Sequence, residues 1–280
     1  MNRYRLDWFL VLCSQSTVLA SQGHLVQDGL RFRVVDLGLF NALALNDRGQ
    51  FVGDAGQDAV LVTGGRMKRL MKRTPRNGEE VGAEAYAINN TGDVVGTVGG
   101  GPAFMSESRF CGAAIWEAPD YCFRDVPECG VTCEGRGLNG SGAVVGNGNY
   151  RGFYASNGLA KQIRTLSHLS EGNTSSANAV NNHGQAVGTS TVVSASDHKV
   201  HEHGFRWSLG HSLVDLGALP GFPCSSAVAI NDLGDAVGYV WSEDYSAPKP
   251  DTKSRSPRVQ SCAVLWKSAR IVRLPSLGSG

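Results

Sequence analysis

The chain has 280 residues, of which 36 are glycine and 10 are proline, and its formal net charge is +1. Glycine at this density opposes long helices, and the near-neutral charge excludes a strongly basic surface for nucleic acid or acidic lipid. With 41% hydrophobic and 18% charged residues, the composition is that of a globular protein, and we expect an all-β fold.

The first 20 residues have the order of a secretory signal peptide. Arg3 and Arg5 precede a mostly apolar run that ends at Cys13, and the segment finishes with small residues up to Ala20. We therefore expect cleavage after Ala20 and a secreted protein, extracellular or periplasmic. The alternative is an N-terminal extension with no targeting role. The apolar run is shorter than the ~20 residues of a membrane-spanning helix, so we expect no membrane span.

A twelve-residue phrase, Ala-x-Ala-Ile-Asn-x-x-Gly-x-Val-Val-Gly in its fullest form, occurs five times. Its alternating start is typical of a strand, and Asn-x-x-Gly is typical of a reverse turn, because asparagine bonds nearby backbone and glycine accepts a positive φ. A repeat of this length, about 40 to 50 residues, is typical of a β-propeller blade. The predicted turn residues are Asn46 and Gly49, Asn89 and Gly92, Asn139 and Gly142, Asn181 and Gly184, and Asn231 and Gly234.

Each repeat holds about four short strands, which we label a to d. We therefore expect a β-propeller-like domain of about five four-stranded blades over residues 31–280, after an extension at 21–30. Residues 33–38 resemble an additional strand d, so a sixth blade completed from separate pieces is the alternative. The expected repeats are approximately 31–70, 71–126, 127–166, 167–217 and 218–280.

These residues resemble the bacterial extracellular HAF-repeat family, whose repeat continues with His-Ala-Phe-Leu-Trp and Asp-Leu-Gly-Thr-Leu. The copies at 85–96 and 227–238 match best, and His203-Gly-Phe205 stands where the family has His-Ala-Phe. The resemblance implies an exported β-propeller, and it brings no catalytic residues to this chain.

Six cysteines remain when Cys13 is removed with the leader, and an even number in an exported chain predicts three disulfides. We expect pairs within single repeats, with the first two pairs open to exchange. The expected pairs are Cys111 with Cys122, Cys129 with Cys133, and Cys224 with Cys262.

His198, His201 and His203 form the densest group of potential metal ligands. They fall in a polar stretch with few neighbouring groups to hold the imidazole rings in position, so we interpret them as solvated loop residues and expect no metal and no cofactor.

A basic run follows the first repeat phrase. It could bind an anion, but a solvated edge strand explains it better, since such charges discourage pairing with other sheets. No aromatic residues alternate with the charges, so nucleic acid is not expected as a partner. The run consists of Arg66, Lys68, Arg69, Lys72, Arg73 and Arg76.

The long irregular segments all fall on the side of the repeats opposite the Asn-x-x-Gly turns, where a binding face is expected. From this side we select Trp241, Tyr245, His201 and Arg73 as candidate ligand contacts. The segments are 97–110, 189–202 and 239–261 between strands b and c, and 71–84 and 127–134 between strands d and a.

We therefore expect a monomeric, non-catalytic binding or scaffold module whose ligand is a glycan or another extracellular protein. One alternative is a carbohydrate-active hydrolase or lyase that uses acidic and histidine residues of the same face. A further alternative is a purely structural cell-surface protein. The catalytic candidates for the enzyme would be Glu84, Asp197, His201 and Asp244.

Overall fold

The computed structural model shows an all-β protein: the described residues form 22 strands and no helix. No helix in this part of the chain could therefore cross a membrane. The described residues are 24–27, 30–33, 40–72, 81–99, 112–126, 133–156, 159–162, 174–194, 198–242, 260–268 and 270–275.

Five four-stranded antiparallel sheets follow one two-stranded hairpin along the chain. The hairpin consists of β1 (His24–Gln27) and β2 (Leu30–Arg33). The first sheet consists of β3 (Asn41–Leu45), β4 (Phe51–Ala55), β5 (Asp58–Thr63) and β6 (Arg66–Arg69). The second consists of β7 (Ala83–Ile88), β8 (Val94–Val98), β9 (Gly112–Glu117) and β10 (Cys122–Asp125).

The other three sheets have the same order of strands. The third consists of β11 (Cys133–Leu138), β12 (Val144–Gly148), β13 (Arg151–Ser156) and β14 (Leu159–Gln162). The fourth consists of β15 (Ser175–Val180), β16 (Gln185–Val193), β17 (Val200–Ser208) and β18 (Val214–Asp215). The fifth consists of β19 (Cys224–Ile230), β20 (Ala236–Ser242), β21 (Gln260–Lys267) and β22 (Arg270–Arg273).

Each sheet contains one copy of the repeat phrase, whose two halves form its first two strands. The first strand of each later sheet packs on the second and third strands of the sheet before it. Among the described strands, no comparable packing joins the fifth sheet to the first. The all-β prediction is confirmed, and the described sheets stack in the order of the sequence. The additional strand expected at 33–38 lies almost wholly outside the described residues.

The segment 189–202 is not the irregular loop that the sequence predicts. β16 continues to Val193 and β17 begins at Val200, so most of the segment is a paired hairpin. The alternation of Thr, Val and His residues in this segment suits strands, which explains why the sheet extends into it.

The core consists of side chains held between neighbouring sheets. Six residues after the turn asparagine, a valine of each of the first four repeats is fully buried against the next repeat. Burying one such valine stabilises the fold by about 1.5 to 3 kcal/mol. The tryptophans Trp116, Trp207 and Trp266 are also buried, as their recurrence at one repeat position predicts.

Glycine ends each repeat phrase because the first two strands approach too closely there for a side chain. A Cβ added at Gly53 would lie 1.8 Å from the carbonyl oxygen of Asn41, and one at Gly188 would lie 1.8 Å from that of Ser176. A register shift beside each contact marks a β-bulge, which brings the strands together. The glycine at this position is therefore required by contact with the backbone.

The turn asparagine organises the reverse turn within its own repeat. In the fourth repeat, Oδ1 of Asn181 accepts hydrogen bonds from the backbone N–H groups of His183 (3.0 Å) and Gln185 (2.9 Å). The turn then closes through the N–H of Gly184, which donates to the carbonyl of Asn181 at 3.0 Å and whose φ is +72°. A glycine at this point takes that φ without steric cost.

The same asparagines join each repeat to the next, and we call this series of contacts the asparagine ladder. In each contact, the Nδ2 of one turn asparagine donates to the backbone carbonyl of the next. The bonds run from Asn46 to Asn89 (3.0 Å), from Asn89 to Asn139 (3.1 Å), from Asn139 to Asn181 (2.9 Å) and from Asn181 to Asn231 (3.0 Å). The four donors are buried; the first three bonds are shielded from water, and the fourth is partly buried.

The residue after the asparagine adds a second bond at three of these junctions. The backbone N–H groups of Asp47, Gly140 and Asn182 each donate to a side-chain oxygen in the next repeat, at 3.0, 2.8 and 2.9 Å. At the last junction the acceptor is Asp232, whose pKa is lowered by the backbone N–H and the side chain of Asn182. At the junction between Asn89 and Asn139 the corresponding acceptor position is Gly140, which has no side chain.

Two of the expected disulfides are absent. Cys224 and Cys262 are both thiols, because β20 lies between their strands and their neighbours in register differ: Trp241 opposite Cys224 and Val240 opposite Cys262. Two strand spacings separate the cysteines by about 10 Å, beyond the ~7 Å limit for a disulfide, and the offset in register places them on opposite faces.

The expected bond between Cys111 and Cys122 is also wrong, because Cys122 is an exposed thiol on β10. Cys111 itself lies outside the described residues. Cys133 is disulfide-bonded, and its partner falls outside the part of the chain that the structure describes. The expected pairing of Cys133 with Cys129 therefore stays a prediction.

We expect Asn139→Asp to lower the free energy of unfolding by about 2 to 4 kcal/mol. The aspartate keeps the acceptor oxygen for its own turn but places a buried carboxylate against the carbonyl of Asn181 in place of a donor. Chemical denaturation of the wild type and the variant measures the loss. The matched control is Asn231→Asp, at an exposed position that makes no ladder bond among the described residues, which we expect to lose less than about 1 kcal/mol. Equal losses in both variants would contradict the ladder.

We expect iodoacetamide to modify Cys122 in the folded protein without any reductant, since its thiol is exposed. Cys133 should be modified only after reduction and unfolding, because it is buried and disulfide-bonded. Peptide mass mapping before and after reduction distinguishes the two. Protection of Cys122 until reduction would instead support a disulfide at that position.

Candidate functional site

Five pairs of residues, one from each repeat, mark a track across the sheets, which we call the polar track. Each pair joins the first two strands, in register, on the side away from the asparagine turns. The pairs are Asn41 with Asp54, Glu84 with Thr97, Glu134 with Asn147, Ser176 with Thr189, and Ser226 with Tyr239. The track is acidic in the first three repeats and carries hydroxyl groups and an aromatic ring in the last two.

Over the third, fourth and fifth repeats the polar track borders two neighbouring cavities that share lining residues, and we call the two together the groove. Their volumes are about 450 Å³ and 520 Å³, and both are lined by Ser176, Thr189 and Glu202. A groove of this size and open shape accommodates an extended small ligand or part of a polymer. Glu134, Asn147 and Tyr150 also line the first cavity, and Ser226, Tyr239 and Trp241 the second.

Aromatic side chains stand at the fifth-repeat end of the groove. The rings of Tyr239 and Trp241 lie 5.4 Å apart at 42° to each other on β20. Two residues apart on one strand, they share a face of the sheet. Next to them the hydroxyls of Thr189 and Ser226 lie 2.6 Å apart, one bonding to the other. The groove thus combines an apolar ring surface with hydroxyl and carboxylate groups.

At the other end of the polar track, acidic residues of neighbouring repeats influence one another. Burial and the nearby charge of Glu84 raise the pKa of Asp54, while a hydrogen bond from Asn41 opposes the rise. The hydroxyl of Tyr86 donates to Glu84, and burial and that carboxylate raise the pKa of Tyr86. The side chains at this end of the polar track hydrogen-bond to one another.

Glu134 connects the acidic end to the groove, where it is held by an arginine. The guanidinium of Arg136 donates to the Glu134 carboxylate at 2.6 Å, and its carbon lies 5.6 Å from the centre of the Tyr86 ring. Both residues line the first cavity. Their positions are therefore largely fixed before any ligand binds, which reduces the entropic cost of binding.

Of the four candidate ligand contacts, the structure places Trp241 in the groove. His201 lies on β17, where its Nδ1 is 3.9 Å from the Sγ of Cys224, and it lines neither cavity. Tyr245 and Arg73 lie outside the described residues.

The histidines do not form a metal site in the part of the chain described here. His203 contacts a carboxylate of Asp215 at 2.9 Å and the carbonyl of Pro223 at 3.2 Å, so both of its ring nitrogens have partners. Although burial opposes it, hydrogen bonds from His203 and the N–H of Gly217 lower the pKa of Asp215. His198 is exposed, with a positive φ of 56°, before β17 begins.

The residues of the enzyme alternative are not brought together in the described structure. Glu84 belongs to the second sheet and His201 to the fourth, and neither lines the groove. Asp197 and Asp244 lie outside the described residues.

The described part of the basic run lies on the outer strand β6 and directly after it, and three of its charged side chains make local contacts. Asp58 contacts Arg69 at 3.2 Å and also contacts Lys72. The Nζ of Lys68 lies 4.5 Å from the centre of the Tyr121 ring. These contacts favour the interpretation as a solvated edge strand; Arg76 lies outside the described residues.

Most of the groove residues were missed by sequence reasoning. Thr189 and Glu202 are the two ends of a segment assigned to a loop, and Ser176 and Ser226 appear as ordinary strand polar residues. Their position relative to the repeat phrase could have identified them. In all five repeats, at least one of the two residues that directly precede and follow the phrase is polar.

Comparison of the sequence with protein-family models and with curated proteins finds no match to either.

We expect Asp54→Asn to stabilise the protein at about pH 7, by ~0.5 kcal/mol because the site is partly open to solvent. Its folded-state pKa is raised above 3.8, so ionisation costs stability as pH rises through that folded pKa. Asparagine removes this cost and keeps an oxygen for Asn41. Urea unfolding at several pH values measures the difference, which should vanish below about pH 3. The control is Asp120→Asn, in an exposed turn, which we expect to have no effect; a gain for Asp54→Asn that persists at low pH would contradict the account.

Proposed function

We propose that this chain is an exported, non-catalytic binding module that holds a glycan in the groove. The observation that carries the proposal is the juxtaposition of Trp241 and Tyr239 with the hydroxyls of Ser176, Thr189 and Ser226 and the carboxylate of Glu202. A sugar ring presents an apolar face of C–H groups and a rim of hydroxyls. Aromatic faces match the first, and carboxylate and hydroxyl groups match the second.

The architecture supports this use of the groove. Each repeat contributes residues at the same two positions, so a ligand with repeating units would meet similar geometry as it passes from sheet to sheet. We propose that the five sheets are blades of a propeller-like stack of the kind that the HAF-repeat resemblance implies. Such a scaffold leaves the side away from the turns free to vary in sequence.

Export completes the proposal. The predicted signal peptide at residues 1–20 would place the groove outside the cytoplasm, where polysaccharides are available as ligands. The near-neutral net charge of +1 favours recognition through stacking and hydrogen bonds over attraction to a highly charged polymer.

We expect the purified protein to bind at least one member of a glycan array, and Trp241→Ala to weaken that binding by about tenfold or more. Trp241→Phe should retain most of the affinity, because phenylalanine keeps an aromatic face. Titration calorimetry with the glycan selected on the array gives the dissociation constants. Leu233→Ala serves as the control, since this side chain is 84% exposed on an asparagine turn and remote from the groove.

Each result decides between the candidate functions. Retention of the glycan intact, with loss in Trp241→Ala alone, supports a binding module. Cleavage of the glycan during the titration would favour the hydrolase or lyase, and absence of binding across the array would favour a structural role. Unchanged affinity in Trp241→Ala would show that the ligand binds elsewhere.

A further inference from the structure

One valine position is buried in four repeats and exposed in the fifth. The residue six places after the turn asparagine is 0% exposed in the first four repeats but 40% exposed in the fifth. In the first four, the following repeat covers this side chain, and no described repeat follows the fifth. The residues are Val52, Val95, Val145, Val187 and finally Val237.

The residue directly before the next turn asparagine belongs to the same core cluster as this valine. Val52 shares a core cluster with Ile88, and Val145 shares one with Val180. Ile88 and Val180 are only 8% and 9% exposed, whereas the corresponding residue of the first repeat, Leu45, is 42% exposed. Val237 and Leu45 thus occupy two positions that share a core cluster at the junctions between described repeats but are exposed at the two ends.

The asparagine ladder is unmatched at the same two ends. Oδ1 of Asn231 accepts from the N–H groups of Leu233 and Asp235, but its Nδ2 has no acceptor among the described residues. The carbonyl of Asn46 accepts from the N–H of Gly49, at 3.0 Å. Within the described structure, no side-chain amide of an earlier repeat reaches that carbonyl. Among the described residues, the Nδ2 of Asn231 and the carbonyl of Asn46 thus each lack the bond to a neighbouring repeat that the other turn asparagines make.

We propose that a second copy of this chain docks head to tail on the fifth repeat. Leu45 of the docked copy packs against Val237, and the Asn46 carbonyl of that copy accepts from Nδ2 of Asn231. This contact continues the interface that already joins repeat to repeat within the chain. It uses two different surfaces, so it either closes into a ring of copies or extends into a filament. The proposed self-association differs from the monomer that we expect from the sequence alone.

The first repeat can receive this contact at the end that carries its turn. Phe40 packs with Val60 and Val62, all buried, in a cluster that does not include Leu45. Leu45 and the turn after it remain accessible. Within one chain, no substantial packing joins the described first and fifth sheets, so both halves are available to another copy.

The test is sedimentation of the full chain from about 1 to 100 µM, the range in which contacts of modest area associate. We expect the wild type to self-associate, and Val237→Asp or Leu45→Asp to raise the dissociation constant at least tenfold. Mixing the two variants should restore one contact, because one keeps Leu45 and the other keeps Val237. The expected species is a 1:1 dimer. The control is Val193→Asp, at an exposed position on the far end of the fourth sheet, which should associate like the wild type.

Three results would overturn the proposal. One is a wild type that stays monomeric over the whole concentration range. In that case, a lower melting temperature of Val237→Asp would show that the first repeat of the same chain covers Val237. Another is self-association that neither aspartate variant changes. The third is that the two variants, each monomeric alone, fail to dimerise when mixed. Head-to-tail docking requires that dimer, because the mixture still contains one intact Leu45 and one intact Val237. Both positions are exposed in one copy, so an unchanged circular dichroism spectrum at low concentration confirms that each variant folds.

Discussion

The described structure depends on one side chain, the turn asparagine, which performs two tasks at once. Its oxygen accepts backbone N–H groups and shapes the turn of its own repeat, and its amide donates to the carbonyl of the next. A buried amide satisfies its hydrogen-bonding capacity only if the neighbouring turn lies in the right place. The position of each later sheet is therefore set by the turn of the sheet before it, and the valine contacts between the sheets follow from that placement.

This arrangement divides the molecule into a constrained side and a variable side. On the side of the asparagine turns, side chains and backbone carbonyls must meet at about 3 Å at each junction between described repeats, so the sequence is nearly the same each time. On the other side, strands b and c continue for different lengths, and the polar track changes from Asp54 to Tyr239. A rigid row of turns thus supports a surface whose chemistry differs from repeat to repeat, and the groove forms there.

The all-β fold was predictable because its signals are local. Asn-x-x-Gly, the alternating small residues and the terminal glycine of the phrase each act within one hairpin. The disulfide prediction failed because it needed register: Cys224 and Cys262 belong to one repeat but are separated by β20 and face opposite sides of the sheet. The groove was only partly predictable, since Trp241 was selected but Glu202 lies in a hairpin that was assigned to a loop. The ladder was not predicted, because nothing within one repeat shows where its amide points.

The most direct measurement of the central claim is hydrogen exchange of the asparagine side-chain amides, followed by NMR at a concentration where the protein is monomeric. The account predicts slow exchange for the Nδ2 protons of the four buried donors, Asn46, Asn89, Asn139 and Asn181, and exchange at the solvent rate for Asn231. Fast exchange at all five positions would contradict it, because the repeats would then be held together without the ladder.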